Sequence, residues 1–248
     1  MPRTHGNDAR IYLDEFNLSG RANRWALDVT RPPHEITAFE DPAEEFLQGL
    51  NQRGWTAEFR AWSDFVEFEI DQIINSLLGT GLAKNLGLYA DGSAAGSRGY
   101  EGASGLEREQ IVSPADNAGS LDVTMRGDGM IGRAMKLQEA VAIAATGGQT
   151  GQNHMVATDG DTIISVLRII AVDGAGSITM ELQESTDDGG GDAYGTVVAH
   201  PAQTAVGVDR VSVVAATNPG PWFRHEVTAF STFTSVTVRT AVAVVPNS

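Results

Sequence analysis

Apolar and polar positions alternate along much of this chain. Between Arg24 and Thr30 the apolar side chains fall at Trp25, Leu27 and Val29, and between Trp55 and Trp62 aromatic and polar residues interleave in the same way. Successive residues of an extended chain point to opposite faces, so a period of two predicts a half-buried strand. Further runs of this kind lie at Glu35–Phe39, Leu86–Ala90, Glu107–Ser113, Leu121–Met125 and Ala134–Gln138. Arg31-Pro32-Pro33 interrupts them, because each proline removes a donor and restrains the residue before it. The segment Gly92–Gly105, rich in Gly, Ser and Ala, reads as a mobile loop, and the polar first dozen residues read as a flexible arm.

One segment changes period. Val66, Ile70, Ile73, Ile74, Leu77 and Leu78 recur at helical spacing, Ser63 or Asp64 can cap the start, and Gly79 ends the run. Glu67, Glu69 and Asp71 stand where the positive end of a helix dipole favours acids. A helix over about residues 64–78 is the expectation. Asp41-Pro42-Ala43-Glu44-Glu45 also has the form of a helix start, but the apolar residues after it allow only a turn or two.

The small-residue stretch Ala144–Gly151 marks a change of composition. Beyond it come Thr162–Val172, Ser177–Glu184, Thr196–Ala199, Arg210–Ala215, Trp222–Ala229 and Ser235–Val245, with turn signals at Asp173-Gly174 and Asp187-Asp188-Gly189 and no helical period. Short strands at regular spacing predict an all-β sandwich. The fold class is therefore mainly β. A β-sandwich with one packed helix occupies residues 1–143, and a second small Ig-like sandwich occupies residues 144–248.

Composition narrows the function classes. The chain has 248 residues, 42% of them hydrophobic, which suffices for a sizeable core. It has no cysteine, so disulfides, thiolate metal sites and thiol nucleophiles are excluded. No apolar run approaches the roughly 18 residues of a membrane span, and MPRTHGNDARIY lacks the apolar core of a signal peptide. The net charge is −15, spread over both halves: 13 basic against 22 acidic residues up to Glu139, and 4 against 10 beyond it. Such a balance serves solubility. It also suits a surface that must not hold DNA, since gripping phosphates takes clustered Lys and Arg.

Candidate chemistry is sparse. His5, His34, His154, His200 and His225 are scattered, with no zinc-binding spacing, and each is expected at the surface or at a strand end. Asp187-Asp188-Gly189-Gly190-Gly191-Asp192 could offer oxygen ligands to Ca²⁺, but it lacks the alternate-position acids of an EF-hand and reads as a hairpin turn with solvated acids. Asp159-Gly160-Asp161 is a weaker instance. The Gly-rich segment contains no phosphate-binding loop, and no G-x-S-x-G elbow is present. Trp55 and Phe59 share a strand face that Trp62 does not. They could stack on a base or sugar, but without interleaved Lys and Arg a packing role is expected. No catalytic, cofactor-binding or metal residue is assigned, and an enzyme is not expected.

The segment Arg10–Leu50, RIYLDEFNLSGRANRWALDVTRPPHEITAFEDPAEEFLQGL, together with Trp55–Trp62, resembles the opening of the major tail (tail tube) proteins of phages with long, non-contractile tails. Those proteins open on Y-x-D-G-x-N-L-S-G, followed by a T-x-F-G-D turn. ITMELQESTDDGG (Ile178–Gly190) is similar to the strand-turn of the domain many of them append, and PWFRHEVTAFSTFTSVTVRTAVAV (Pro221–Val244) to their closing strand pair. Glu15 and Glu40 stand where the family often has Gly, and Tyr194 where it has Trp, so local turn geometry can differ. The resemblance implies a virion protein assembled in the host cytoplasm, whose six-fold rings stack into a hollow tube that conducts the genome. Its implied partners are other copies of itself, the tape measure, tail terminator and distal tail proteins, and DNA passing through the lumen without specific binding. A capsid decoration or minor virion protein, and a carbohydrate-binding or Ig-like module, are the alternatives.

Overall fold

The alternating runs become strands. The computed structural model describes residues 9–20, 22–30, 33–35, 46–48, 54–62, 70–77, 83–112, 119–154, 156–215 and 219–247. Strands β1 (Arg10–Leu13), β2 (Phe16–Asn17), β3 (Ala22–Thr30), β4 (Pro33–Glu35), β5 (Phe46–Gln48) and β6 (Gly54–Trp62) precede helix α1 (Ile70–Leu77). Then come β7 (Lys84–Tyr89), β8 (Arg98–Val112), β9 (Ser120–Ile143) and the short β10 (Gly147–Gly148) and β11 (Gln152–Asn153). The chain closes with β12 (Thr162–Asp173), β13 (Ser177–Ser185), β14 (Gly195–Ala199), β15 (Gly207–Val214), β16 (Trp222–Ser231) and β17 (Ser235–Val245). Among the described residues the pairings between these strands are antiparallel. The mainly-β class holds.

Three expectations are corrected. The packed helix over 64–78 is not borne out: α1 spans eight residues, and of its described side chains only Ile74 is buried. Residues 63–69 and 78–82 of that expectation lie outside the described residues, as do 36–39, the start at Asp41-Pro42 and the first eight residues. A helix this short has little stability of its own and depends on packing. The loop expected over Gly92–Gly105 ends at Ser97, since Arg98–Gly105 belong to the fifteen-residue β8. The runs at Leu121–Met125 and Ala134–Gln138 are parts of one 24-residue strand, β9, carried through by the less regular Arg126–Arg133 between them.

Contacts divide the chain into two compact units, one of residues 1–19, 85–101 and 132–247, the other of 20–84 and 102–131. Both β8 and β9 contribute to each. In the larger unit the strand order β15-β12-β17-β9 continues through β8, β7, β1 and β2, and a second sheet orders β10-β16-β13-β14 with β11 also on β16. The sandwich therefore takes in Arg133–Ile143 of β9, which pair with β17. Between its sheets, Met135, Leu137, Ile163, Val242 and Val244 pack with Leu182 and Phe223, and Leu167, Ile169, Val236 and Val238 with Ile178, Met180 and Val227. The opposite face of β12 and β17 is covered too: Ile164, Val166, Ala241 and Ala243 cluster with Tyr12 of β1 and Tyr89 of β7. This explains why β12 reads Ile163-Ile164-Ser165-Val166-Leu167 without alternation, since a strand buried on both faces needs apolar residues at every step. The two segments that resemble a closing strand pair are strands, but β16 joins β13 while β17 joins β12 and β9, so they fall in opposite sheets.

In the smaller unit β6 lies between β3 and β9. The register sets Trp25, Phe59 and Val123 in one row and Leu27, Ala57 and Met125 in the next. Trp55, Ala57, Phe59, Ala61, Leu121, Val123 and Met125 are all buried, so the period-two pattern reports one covered face. β4 and β5 form a separate two-stranded ladder.

Candidate functional site

The larger unit holds two buried polar centres on opposite faces of β12. On the sandwich side, Ser165 Oγ lies 2.8 Å from His200 Nε2 and 2.9 Å from His225 Nε2. His200 Nδ1 is 2.5 Å from Asp209 Oδ2. Strands β12, β15 and β16 and the residue after β14 supply these groups. Asp209 requires a proton on His200 Nδ1, which leaves Nε2 as an acceptor for the Ser165 hydroxyl. His225 Nε2–H then donates to Ser165 Oγ, and His225 Nδ1 is buried with no hydrogen-bond partner. Burial lowers the pKa of both imidazoles. Asp209 opposes this at His200, and a charge on His200 would depress His225 further.

The order serine, imidazole, carboxylate is that of an activated nucleophile. Here Ser165 and His225 are wholly buried and His200 nearly so, so no substrate can approach the hydroxyl in this arrangement. What the contacts do is tie three strands together across an apolar core. The expectation of a surface or strand-end place is corrected for His225, which is buried in the middle of β16, whereas His200 does stand at the end of β14, though buried. A signal was present in the sequence: His225 sits between Phe223 and Val227 on the inward phase of β16, and Ser165 interrupts an apolar run.

On the other face, Arg168 Nη1 and Nη2 donate to Glu101 at 3.0 and 2.8 Å, and Arg168 Nε donates to the Asp14 carbonyl at 2.7 Å. Tyr89 Oη (2.7 Å) and Asn85 Nδ2 (2.6 Å) also donate to Glu101. Burial works against the charge on Arg168, but Glu101 outweighs it and raises the pKa. Nearby, Lys136 Nζ donates to Tyr12 Oη (2.5 Å) and Glu139 Oε2 (2.9 Å), and Arg239 Nε donates to Glu139 Oε1 (2.9 Å). Burial brings the Lys136 pKa down to about 8, partly offset by Glu139. A bulge aims Glu139 at these cations: Val238 pairs with Val141 and Thr240 with Gln138, which leaves one extra residue on β9, and Ala140 has φ 48°. These ion pairs pin β1, β7 and β8 to β9, β12 and β17. Spacing carried no trace of them, because partners such as Tyr12 and Lys136 are 124 residues apart.

The other singled-out residues take structural places. His154 is buried with its ring edge-on to Phe223; the side chains of His5 and His34 lie outside the described residues. Asp187 and Asp192 organise their turn, Asp187 accepting from Gly191 N (2.5 Å) and Asp192 N (3.1 Å). Asp161 accepts from Thr158 and from Asn247 N (2.8 Å). Among the described residues no group of His, Asp and Glu could hold a metal ion, and no helix is long and apolar enough to cross a membrane. Trp55 and Phe59 pack in the smaller unit's core, while Trp62, on the other face, is 50% exposed.

The surface offers strand edges instead. Among the described residues β3 pairs only with β6, and β15 only with β12. The smaller unit also exposes Val29, Ile111, Val112 and Met130 beside Trp62.

No protein family matches the chain, and no curated protein does. Solved structures that resemble it include the virion of a native gene transfer agent particle, with a TM-score of 0.42 and 13% identity over 53% of this chain and 98% of that one. The tail of an empty gene transfer agent particle, refined with C6 symmetry, gives 0.40 and 12% over the same shares. SPP1 Dit, described as a paradigm of the hub adsorption apparatus of phages infecting Gram-positive bacteria, gives 0.35 and 10% over 94% of this chain and 98% of that one. Likenesses this distant carry no inference about function.

Proposed function

We propose that this protein is a structural subunit of a phage tail, and within that class a tail tube protein of the long, non-contractile type. It acts by assembly and not by catalysis, polymerising as stacked six-fold rings into a hollow tube that conducts the genome and meets the tape measure, terminator and distal tail proteins at its ends. The resemblance of Arg10–Leu50, Ile178–Gly190 and Pro221–Val244 supports this reading.

The observation that carries it is the open edge of β3. Nine residues of strand have no partner on one side among the described residues, and Val29 on that strand is 44% exposed. An unpaired edge is a template for joining another chain, and monomeric proteins ordinarily blunt it. In a ring each edge is satisfied by a neighbouring copy. Residues 144–248, which hold most of the sandwich, are proposed to lie on the tube's outer surface.

Electron microscopy of the concentrated protein, and of virions probed with antibody to it, tests the reading. Hollow tubes of uniform width and labelled tails are expected. A particle that stays monomeric at high concentration and is absent from tails would overturn it.

A further inference from the structure

The polar face of the smaller unit carries a feature that assembly does not explain. Across neighbouring strands Arg24 of β3 stands directly opposite Arg60 of β6, and Arg60 directly opposite Asp122 of β9. Like charges at directly opposed positions of a sheet repel. Asp122 relieves only one of them: Arg60 Nε and Nη2 grip its two oxygens at 2.5 and 2.8 Å. Arg108 of β8 joins the same cleft, bonded to Gln110. The hydrogen bond from Arg60 holds the Asp122 carboxyl below its ordinary range, and the nearby charges of Arg108 and Arg24 add to the effect. Among the described residues the Arg24 guanidinium has no hydrogen-bond partner. Three guanidiniums therefore gather round one engaged carboxylate, in a chain whose net charge is −15.

Between them is a cleft of about 200 Å³, lined also by Glu58, Gln110 and Thr124 and by the strand segments at Phe59 and Val123. Glu58 is the opposing charge. It lies two residues from Arg60 along β6, and among the described residues no cation is bonded to it.

We propose that this cleft is an oxyanion site for a phosphate group, held by Arg24 and Arg108 with Arg60 fixed beneath it by Asp122. Guanidinium forks suit phosphate oxygens because they donate parallel N–H bonds and stay charged at any working pH. The bound group neutralises the like-charge pair, which is the reason such a pair can persist on adjacent strands. Gln110 and Thr124 offer neutral donors at the rim. The same chemistry is presented by a free phosphate and by the phosphodiester backbone of a nucleic acid. The site stands independently of the tail assignment.

The test uses the full-length protein, with inorganic pyrophosphate and a short single-stranded DNA as separate probes, titrated by calorimetry at low and moderate salt. Pyrophosphate binding is expected, weakened roughly tenfold by Arg24→Gln and again by Arg108→Gln, as loss of a charged hydrogen bond implies. Both side chains are exposed, and circular dichroism checks that the variants fold. Glu58→Gln should tighten binding by removing the carboxylate that competes for the arginines. DNA binding that the same arginine variants abolish would identify a phosphodiester as the source, and pyrophosphate binding alone would identify a free anion. Absence of binding to either probe, or binding indifferent to Arg24 and Arg108, overturns the proposal.

Discussion

Ser165 has one proton to give and takes one in return, so its hydroxyl sets the protonation of two histidines at once. Both are held neutral by burial, with pKa values below the ordinary 6.5. The unfolded chain therefore takes up protons at higher pH than the folded one. Their contribution to stability is fully present above pH 6.5 and falls as the pH drops below that value. The melting temperature should decline between about pH 6.5 and about pH 5, and His200→Gln/His225→Gln should flatten that slope. Glu139 and Asp161, whose pKa values are lowered, titrate below this window. A slope unchanged in the double variant would remove the histidines from the account. On the other face of β12, Arg168→Met leaves Glu101 charged and buried with only Tyr89 and Asn85 as donors. A loss of about 3–5 kcal/mol in urea unfolding is expected, most of it recovered by Glu101→Gln in the same chain.

Among the elements, β6 depends on what its neighbours lack. The Trp55 indole lies against Gly127 of β9 and Gly102 of β8, where an added methyl group at Gly102 would come within 2.8 Å of the ring. Its Nε1 donates to the Gly129 carbonyl at 3.1 Å. Gly127→Ala would push the ring off this seat, at a cost of about 1–3 kcal/mol for overpacking. Denaturation with tryptophan fluorescence as the readout should show a lower midpoint and a red-shifted native spectrum. An unshifted spectrum at unchanged stability would mean that the ring has room to spare.

For the whole molecule, assembly should respond to the strand edge and to the sandwich in different ways. Val29→Lys places a charge on the open edge of β3, and lysine on edges is a natural guard against pairing. If rings join there, this variant keeps its melting temperature yet forms no tubes in electron microscopy, whereas normal tubes would move the joint elsewhere. The turn at Asp187–Asp192 carries exposed residues within the sandwich. An epitope tag inserted after Gly190 should decorate the outside of intact tubes, as the proposed outward position of residues 144–248 requires. A tag that antibody reaches only after the tubes are broken would contradict it.

Whatever depends on local period can be read from the order of the residues. Strands such as β3, β6, β12, β13 and β17 were legible because one face, or both, is buried and the side-chain pattern records it. The burial of Trp55 and Phe59 and the exposure of Trp62 followed from the same parity. The tertiary structure decided whatever depends on which strands meet. It joined two predicted runs into β9, drew Arg98–Gly105 from loop into β8, and sent β16 and β17 to opposite sheets. It also brought Ser165 to His200, His225 and Asp209, and Arg168 to Glu101, which lies 67 residues away along the chain. The physical reason is the same in each case: periodicity reports that a side chain is covered, while the identity of what covers it is set by strand pairing over long separations.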